Sequence, residues 1–273
     1  MSVPVAVSAF AVWTPAGVWL DAEPTPGTSG AVLAPWPESP PLTQIHPRAR
    51  RPHPHAVSLV RLAHGLLTHR ERAAGPLLRR EVELVLGTVA GSAAADLEFT
   101  EGLQQRGVAF GSPSTFVYTL PTAAPGEVAL ALGVRGALST LGAGSVSGLA
   151  AVARAAAQVA SGRARACLCG GMELASVGSR RANSGAGVEQ LALFLLEAAD
   201  AKSPWPRLQD WETGFSPEGP ALPVSPLPSE PLLGLARAVL HARQHPTPGE
   251  VAGASAEGHW ARLRVVPPPA SGP

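Results

Sequence analysis

Ser145 is the residue whose surroundings best match those of a catalytic nucleophile. It lies in the run Gly142-Ala143-Gly144-Ser145-Val146-Ser147-Gly148, between a predicted strand and an alanine-rich predicted helix. A tight turn at this point would raise the Ser145 hydroxyl to the start of the helix, where backbone N–H groups stabilise an oxyanion. Gly144 and Ser145 are therefore the candidate oxyanion turn.

A nucleophilic serine also needs a general base within reach, and the sequence does not identify one. Seven of the eight histidines lie outside the best-formed segments of the predicted α/β core: His53, His55, His64, His69, His241, His245 and His259. The simpler interpretation is that Ser145 caps the helix or fits a tight turn. The sequence favours this interpretation and predicts no catalytic residue.

The same glycines permit a second interpretation, a dinucleotide-binding loop. Gly142, Gly144 and Gly148 form a loose G-x-G-x-x-x-G, but that fingerprint needs an acidic residue near the end of the next strand. The next predicted strand ends at Gly170, and no acidic residue follows until Glu173. The sequence therefore predicts no dinucleotide and no other cofactor.

Cys167 and Cys169 are the only cysteines of the chain. This C-x-C pair has no second pair and no nearby histidine, so two small buried side chains on a strand are a better interpretation than a metal site. The two residues are also too close in sequence for a sound disulfide across a domain. Their use predicts a reducing, cytoplasmic environment and no metal.

Charge and composition indicate which partners to expect. The formal net charge is +1, and although Arg48, Arg50 and Arg51 cluster beside His53 and His55, the chain lacks the basic surface that nucleic-acid binding requires. That cluster is predicted to be a solvated loop or a small docking site for an acidic partner. Charged residues make up only 15% of the chain and apolar residues 45%, which predicts a large apolar surface covered by a partner.

No apolar run reaches the roughly 18 residues of a membrane span. The apolar stretch near the N-terminus follows no basic segment, so we also predict no secretion signal.

Strands alternating with helices predict a layered α/β fold with a central sheet covered on both faces. A proline-rich excursion over residues 23–55 and a proline-rich tail interrupt this pattern. The predicted strands are 3–12, 83–87, 137–141, 165–169, 191–196 and 261–266, and the predicted helices are centred on 57–67, 92–105, 121–132, 149–160 and 232–243.

The order of these pieces resembles the N-terminal half of the β-ketoacyl synthases, enzymes of the thiolase fold. The resemblance covers about residues 3–198 and rests on segments in family order and spacing. They are Thr14-Pro15-Ala16-Gly17, Leu84-Val85-Leu86-Gly87-Thr88, residues 119–129, Leu132-Gly133-Val134-Arg135-Gly136, Ser147-Gly148-Leu149, Gly162-Arg163-Ala164 and Gly170-Gly171-Met172-Glu173. It implies an α-β-α layered domain over residues 1–200, followed by a reduced C-terminal part, residues 201–273, with one helix and one strand.

Departures from the family pattern imply that the condensation chemistry is missing. Active synthases carry a cysteine three positions before the glycine that matches Gly148, and Ser145 stands there in this chain. They also carry two histidines and a lysine in a second half as large as the first. About 75 residues follow Ala198 here, and His259 does not sit in the family's motif.

The resemblance is therefore strongest to chain length factors, relatives that lack the cysteine and pair with an active synthase. A truncated form of these subunits occurs in aryl polyene-type type II polyketide systems. The resemblance implies a catalytic ketosynthase as heterodimer partner, with an acyl carrier protein reaching the complex. It also places the segment before residue 132 at the interface and at the end of the acyl tunnel, with Phe116, Tyr118, Thr119, Thr122 and Ala123 as candidates.

Two alternatives stay open from the sequence. The first is an enzyme that uses Ser145, either as an acyltransferase or as a decarboxylase of malonyl-carrier protein. The second is a structural scaffold that has no influence on the product.

Overall fold

A computed structural model of the chain describes residues 3–25, 32–49, 52–173, 189–200, 202–216, 218, 222, 224 and 230–269. The strands in these residues are β1 (Val5–Thr14), β2 (Gly17–Leu20), β3 (Val82–Gly87), β4 (Leu138–Leu141), β5 (Ala166–Glu173), β6 (Gln190–Ala198), β7 (Arg207–Phe215), β8 (Gly249–Ala254) and β9 (His259–Val266). The helices are α1 (Leu42–Ile45), α2 (Pro54–Ala74), α3 (Ala93–Arg106), α4 (Pro113–Phe116), α5 (Ala123–Leu132), α6 (Ser147–Ala160) and α7 (Glu230–Gln244).

One mixed sheet runs through the molecule in the order β4-β3-β5-β6-β1-β7-β9-β8, with β2 paired to β1. Strand β3 is parallel to β4 and β5, whereas β6 is antiparallel to both β5 and β1. Every residue of β5 is buried, and so are most residues of β6. This is expected of central strands that are covered on both faces.

Helices cover the sheet on both sides, as the sequence predicts. Buried side chains of α2 and α5 pack on one face, together with Trp13 and Leu84. Buried side chains of α6 and α7 pack on the other face, together with Phe10 and Phe194, whose rings stack 5.9 Å apart. Leu208 of β7 and Leu263 of β9 join this second core, so α6 and α7 pack against strands from both halves of the sheet.

Helix α6 is enclosed by the surrounding strands and helix because half of its residues are alanine. Alanine has the highest helix propensity, and its short side chain lets the helix approach strands closely on either side. All but three of the fourteen helix residues are buried. The sequence SGLAAVARAAAQVA thus explains both why the helix forms and why it is enclosed.

Asp21 ties three separate elements together at one point. It has a φ of +52°, a conformation that aspartate tolerates better than most residues. Its carboxylate accepts hydrogen bonds from the backbone N–H of Phe10 at 2.9 Å and from Arg243 of α7 at 3.1 Å, and it lies 3.2 Å from His69 of α2. The connection after β2 is therefore fixed to both helical layers.

The C-terminal part differs from the sequence prediction, which placed one strand after residue 200. The structure has three strands there, β7, β8 and β9, and β7 joins β1 through the pairs Val5–Leu208 and Ala6–Arg207. The described residues after 200 therefore share the sheet and the core of the rest. Two smaller differences are the strand β2, which the sequence prediction missed, and α5, which begins at Ala123 rather than at residue 121.

No helix in the part of the chain that the structure describes is long and apolar enough to cross a membrane.

Candidate functional site

The turn that carries Ser145 connects β4 to α6 and is held by a neighbouring serine. The Ser147 hydroxyl accepts a hydrogen bond from the Ala143 backbone N–H at 2.8 Å and donates one to the Gly144 carbonyl at 2.7 Å. Gly144 has a φ of +55°, which suits glycine. Ser147 is thus the residue that shapes the turn, a role that sequence reasoning did not assign to it.

The hydroxyl of Ser145 is half-buried and donates a hydrogen bond to the backbone carbonyl of Ala254 at 3.3 Å. A carbonyl oxygen orients a hydroxyl but cannot take its proton, so this contact does not activate a nucleophile. Among the described residues no histidine, carboxylate or lysine forms a hydrogen bond with Ser145. The geometry therefore supports a weakly nucleophilic hydroxyl.

A carboxylate lies beside the candidate oxyanion turn. An ideal Cβ added to Gly144 would lie 2.3 Å from Oε2 of Glu257 and 2.6 Å from Cβ of Ser255. A negative charge in contact with the turn opposes the negative charge that develops on an oxyanion. The segment 254–257 thus lies against the turn, with the exposed Glu257 side chain at its border.

The histidines form contacts elsewhere in the molecule. His46 lies 2.8 Å from Glu127, whose other carboxylate oxygen accepts a hydrogen bond from the Tyr118 hydroxyl at 2.8 Å. The rings of His53 and His55 are 4.5 Å apart, and burial lowers the pKa of His55 to about 4. Other contacts are His53 with Tyr118 and Glu98, His69 with Asp21, His241 with His245 and Thr247, and His259 with the ring of Phe215.

A small hollow beside the turn is closed by a leucine. Gly148 and Gly171 both face Leu232 of α7, whose Cδ1 would lie 2.5 and 2.7 Å from Cβ atoms added at these glycines. Gly87, Met172, Glu173, Gln190 and Ala192 complete the lining. Leu232 therefore fills the space above the start of α6, a contact between residues far apart in the sequence.

Glu173 is the most strongly perturbed acid in this region. Complete burial raises its pKa to about 7, and hydrogen bonds from Val89, Ala90 and Thr88 oppose the shift. Its Oε2 and the Nε2 of the cross-strand neighbour Gln190 are buried without a hydrogen-bond partner among the described residues. Burial thus favours the protonated form of this carboxyl group.

Glu173→Gln is expected to make stability depend less on pH. The folded-state pKa of Glu173 lies above the unfolded value of 4.5, so its contribution is full below pH 4.5 and is lost as pH rises to about 7. Glutamine mimics the protonated acid, so the variant should gain roughly 3 kcal/mol over the natural chain across this interval. Urea unfolding at pH 5, 6, 7 and 8 measures the gain.

Burial lowers the pKa of His55, so this residue gives stability a pH dependence of the opposite sign. The natural chain and the Glu173→Gln variant share that contribution, so it cancels in the difference between their free energies of unfolding. Exposed Glu101 supplies the control, because Glu101→Gln should leave the difference flat. If the difference in unfolding free energy between Glu173→Gln and the natural chain also stays constant with pH, the buried carboxyl group titrates normally.

The tunnel candidates lie in the segment that leads into α5. Phe116 ends α4 and is exposed at the surface, with its ring 5.4 Å from that of Phe99. Tyr118 and Thr119 belong to the short 3-10 turn Val117–Thr119, and desolvation raises the pKa of Tyr118 to about 12. Thr122 precedes α5, and Ala123 is its first residue.

An open cleft of about 700 Å³ connects this segment to the end of β4. It is lined by Thr88–Ser92, Pro121, Thr122 and Thr140–Gly142. Thr122 thus faces the same space as the residues that precede the Ser145 turn. Of the other tunnel candidates, Phe116, Tyr118, Thr119 and Ala123 do not line it.

Exposed apolar side chains concentrate next to this cleft. Five of the ten large apolar residues that are exposed in the described chain lie between residues 108 and 120: Val108, Phe110, Phe116, Val117 and Leu120. We call these five residues the apolar segment. Strand β4 lies at the end of the sheet, and among the described residues it pairs only with β3, so its other edge has no strand partner there.

The remaining candidates for cofactor or metal binding have structural roles. Cys167 and Cys169 are free and buried, and burial raises the pKa of both thiols. The described residues contain no group of three or more His, Cys, Asp or Glu side chains that could hold a metal ion. Of the arginine cluster, Arg48 is exposed, whereas Arg50 and Arg51 lie outside the described residues.

Structural comparison places the fold among ketosynthases. AntDE:AntF, a type II PKS acyl-carrier protein in complex with its ketosynthase bound to the hexaketide, gives a TM-score of 0.75 at 15% identity, over 97% of this chain and 99% of that chain. The ishigamide ketosynthase/chain length factor gives 0.71 at 17% identity, over 96% and 99%. The ketosynthase ApeO in complex with its chain length factor ApeC from Xenorhabdus doucetiae gives 0.64 at 15%, over 95% and 98%.

Sequence comparison gives the family. No curated protein sequence matches the chain. The family model for the β-ketoacyl synthase N-terminal domain matches residues 22–213, which include the strands β3–β6, the Ser145 turn and helix α6. With this match over more than half of its length and the thiolase-like fold of the ketosynthases, the chain belongs to the β-ketoacyl synthase family.

Proposed function

We propose that this chain is a non-catalytic ketosynthase-like subunit, a chain length factor that pairs with an active ketosynthase. The proposal rests first on the nucleophile position. The Ser145 hydroxyl donates a hydrogen bond to the Ala254 backbone carbonyl, and the Glu257 side chain lies against the oxyanion turn. Both features weigh against a Ser145-dependent acyltransferase or decarboxylase, since neither activates the hydroxyl nor stabilises an oxyanion.

The observation that carries the proposal is the position of the apolar segment beside an open cleft. Large exposed apolar patches mark surfaces that bind other proteins, and obligate interfaces are rich in such residues. The open edge of β4 offers backbone groups to a further strand at the same end of the sheet. A ketosynthase of the same family is the partner we propose, because similar folds of this kind occur in ketosynthase complexes with a chain length factor.

In this proposal the partner holds the growing acyl chain and receives units from an acyl carrier protein. The cleft lined by Thr122 and Leu141 becomes the part of the tunnel that this subunit contributes. The system is of the type II polyketide or fatty-acid kind, with aryl polyene formation as the pathway class that we propose. A cytoplasmic location, and the division into a domain over residues 1–200 and a short C-terminal extension over residues 201–273, stay predictions.

Co-expression tests the partnership. Expressed alone, the chain is expected to be poorly soluble or to self-associate, and a cognate ketosynthase should convert it into a soluble 1:1 complex. Size-exclusion chromatography with light scattering measures the stoichiometry. A stable monomer at micromolar concentration that does not bind the ketosynthase would contradict the proposal.

Changes at the tunnel candidates are expected to alter product length. Thr122→Phe puts a larger side chain into the cleft and should shorten products by a few carbons, because the ring takes up space that the acyl chain would occupy. The family resemblance also predicts that Phe116→Ala and Tyr118→Ala lengthen products, although neither residue lines this cleft. Mass spectrometry of products made by the intact complex gives the distribution.

Tyr118→Phe is the matched control, since it removes the hydrogen bond to Glu127 but keeps the ring. It should leave product length unchanged. If none of the three test variants alters product length while the complex stays intact, the subunit is a scaffold that does not determine the length of the acyl chain.

A further inference from the structure

A buried acid lies behind one wall of the cleft that Thr122 lines. Residues 88–92 connect β3 to α3 and form half of the lining of this cleft of about 700 Å³, and we call them the wall loop. Gly91 of the wall loop lies beside Pro121, whose Cγ would lie 3.5 Å from a Cβ added at Gly91. The position of the wall loop relative to Pro121 and Thr122 therefore sets the width of the cleft.

Glu173, the last residue of β5, holds the middle of the wall loop. The Val89 backbone N–H donates a hydrogen bond to Oε1 of Glu173. The Ala90 backbone and the Thr88 side chain also hydrogen-bond to this carboxyl group. Strand β5 is a central strand whose residues are all buried, so it gives the carboxyl group a rigid support. One carboxyl group thus attaches three consecutive residues of the wall loop to the sheet.

Further hydrogen bonds of the wall loop lie at its start or are local. The Thr88 backbone N–H donates to the Leu141 carbonyl of β4 at 3.0 Å. The Gly91 N–H donates to Oγ1 of Thr88 at 3.0 Å, and the Ala90 carbonyl accepts from the N–H of Ala93 at 3.0 Å. These bonds shape the loop and fix its first residue, whereas Glu173 attaches the residues that follow.

Glu173 is an acid in an unfavourable place. It is 6% exposed, it forms no ion pair with a described residue, and its second carboxylate oxygen has no hydrogen-bond partner among those residues. A buried carboxyl group without a cation costs stability, and strongly perturbed acids concentrate at functional sites. Glu173 does not itself line the cleft of Thr122, so its effect there passes through the wall loop.

We propose that Glu173 is a positioning residue of the acyl tunnel: by holding the wall loop, it limits the width of the cleft and so the length of the acyl chain that enters. Its effect on products rests on the proposed function, whereas the attachment of the wall loop to Glu173 does not. When the acceptor is lost, the wall loop moves away from Pro121 more readily, and the cleft admits longer chains.

Glu173→Leu and Glu173→Gln test the attachment. Both remove the charge, but only glutamine keeps a side-chain oxygen that accepts the Val89 N–H, so the difference between them isolates the acceptor. Hydrogen–deuterium exchange is measured by mass spectrometry on the chain, or on its complex where the chain alone is insoluble. At Val89 and Ala90, exchange should be about tenfold or more faster in Glu173→Leu and within about twofold of the natural chain in Glu173→Gln. Equal exchange in all three proteins would overturn the proposal.

Product length tests the consequence. Mass spectrometry of products made by the intact complex should show longer and more widely distributed products for Glu173→Leu, and the natural distribution for Glu173→Gln. Leu263→Ala is the matched control, because it truncates a fully buried side chain of β9 that does not line the cleft. It should lower the urea midpoint but leave product length unchanged.

The outcomes separate this proposal from the proposed function. Glu173→Met, which also lacks an oxygen acceptor, replaces Glu173→Leu if the leucine variant does not fold. If Thr122→Phe shortens products while the acceptor-free variant leaves them unchanged, the role of Glu173 is wrong and the proposed function stands. If Thr122→Phe has no effect either, the cleft is not part of the acyl tunnel, and that part of the proposed function fails together with the role of Glu173.

Discussion

Aspartate at both Phe110 and Phe116 is expected to weaken the complex with the ketosynthase by about 100-fold or more. These two side chains are 68% and 57% exposed and belong to the apolar segment that we assign to the interface. Burying a carboxylate without a partner costs several kcal/mol, and each 1.4 kcal/mol is a factor of ten in the dissociation constant. Surface plasmon resonance on the co-purified subunits measures the change.

Leu78→Asp is the control for this experiment. Leu78 is also a large exposed apolar residue, 53% exposed, but it lies in the loop after α2 and outside the apolar segment. It should leave the dissociation constant within about twofold, which is less than 0.5 kcal/mol. If the double aspartate variant binds as the natural chain does, the partner contacts another surface.

Loss of Arg70 is expected to be the most destabilising substitution outside the apolar cores. Its Nε and one terminal nitrogen pair with the two carboxylate oxygens of Glu197, each at 2.8 Å, and the other terminal nitrogen donates to the Gly75 carbonyl at 2.7 Å. The guanidinium also lies 5.5 Å from the ring centre of Trp205. The pair joins α2 to β6 and is mostly buried.

Arg70→Ala should therefore lower the free energy of unfolding by about 3–5 kcal/mol, because it leaves the Glu197 carboxylate buried without a partner. Urea unfolding followed by tryptophan fluorescence measures the loss. Arg165→Ala is the control: Arg165 pairs with Glu81 at 3.4 Å but is largely exposed, so its loss should cost less than about 1 kcal/mol.

The double variant Arg70→Met with Glu197→Leu separates charge from packing. It should recover most of the stability, since apolar side chains of similar size replace a buried ion pair with little loss. A small effect of Arg70→Ala, similar to that of Arg165→Ala, would show that the pair does not hold α2 to the sheet.

The sequence predicted the elements that carry a strong local pattern. Helix α6 and the strands β5 and β6 are continuous apolar or alanine-rich runs, and glycines flank α6, so short-range rules suffice. Strand β7 was missed because most of its residues are polar, and a bulge with Asp210 at a φ of +51° interrupts its pairing with β9. Strand β8 was missed because its sequence, GEVAGA, has a single β-branched residue.

The surroundings of Ser145 depend on contacts that no local pattern encodes. Ala254, Glu257 and Leu232 reach the turn from positions more than 80 residues away, through the pairing of β8 with β9 and the packing of α7. The sequence placed Ser145 in a turn before a helix, and the structure has that turn between β4 and α6. The position of segment 254–257 could not be predicted from the sequence, because it depends on how the whole chain folds.

Turnover of the reconstituted complex with Ser145→Ala tests the central claim most directly. The complex of this chain with its ketosynthase, given acyl-carrier substrates, should elongate at a rate within about twofold of the natural complex, because we propose no covalent step for Ser145, which hydrogen-bonds to no base among the described residues. The variant loses only the hydrogen bond to the Ala254 carbonyl. A loss of turnover by several orders of magnitude, with the 1:1 complex intact, would show that this subunit is itself catalytic.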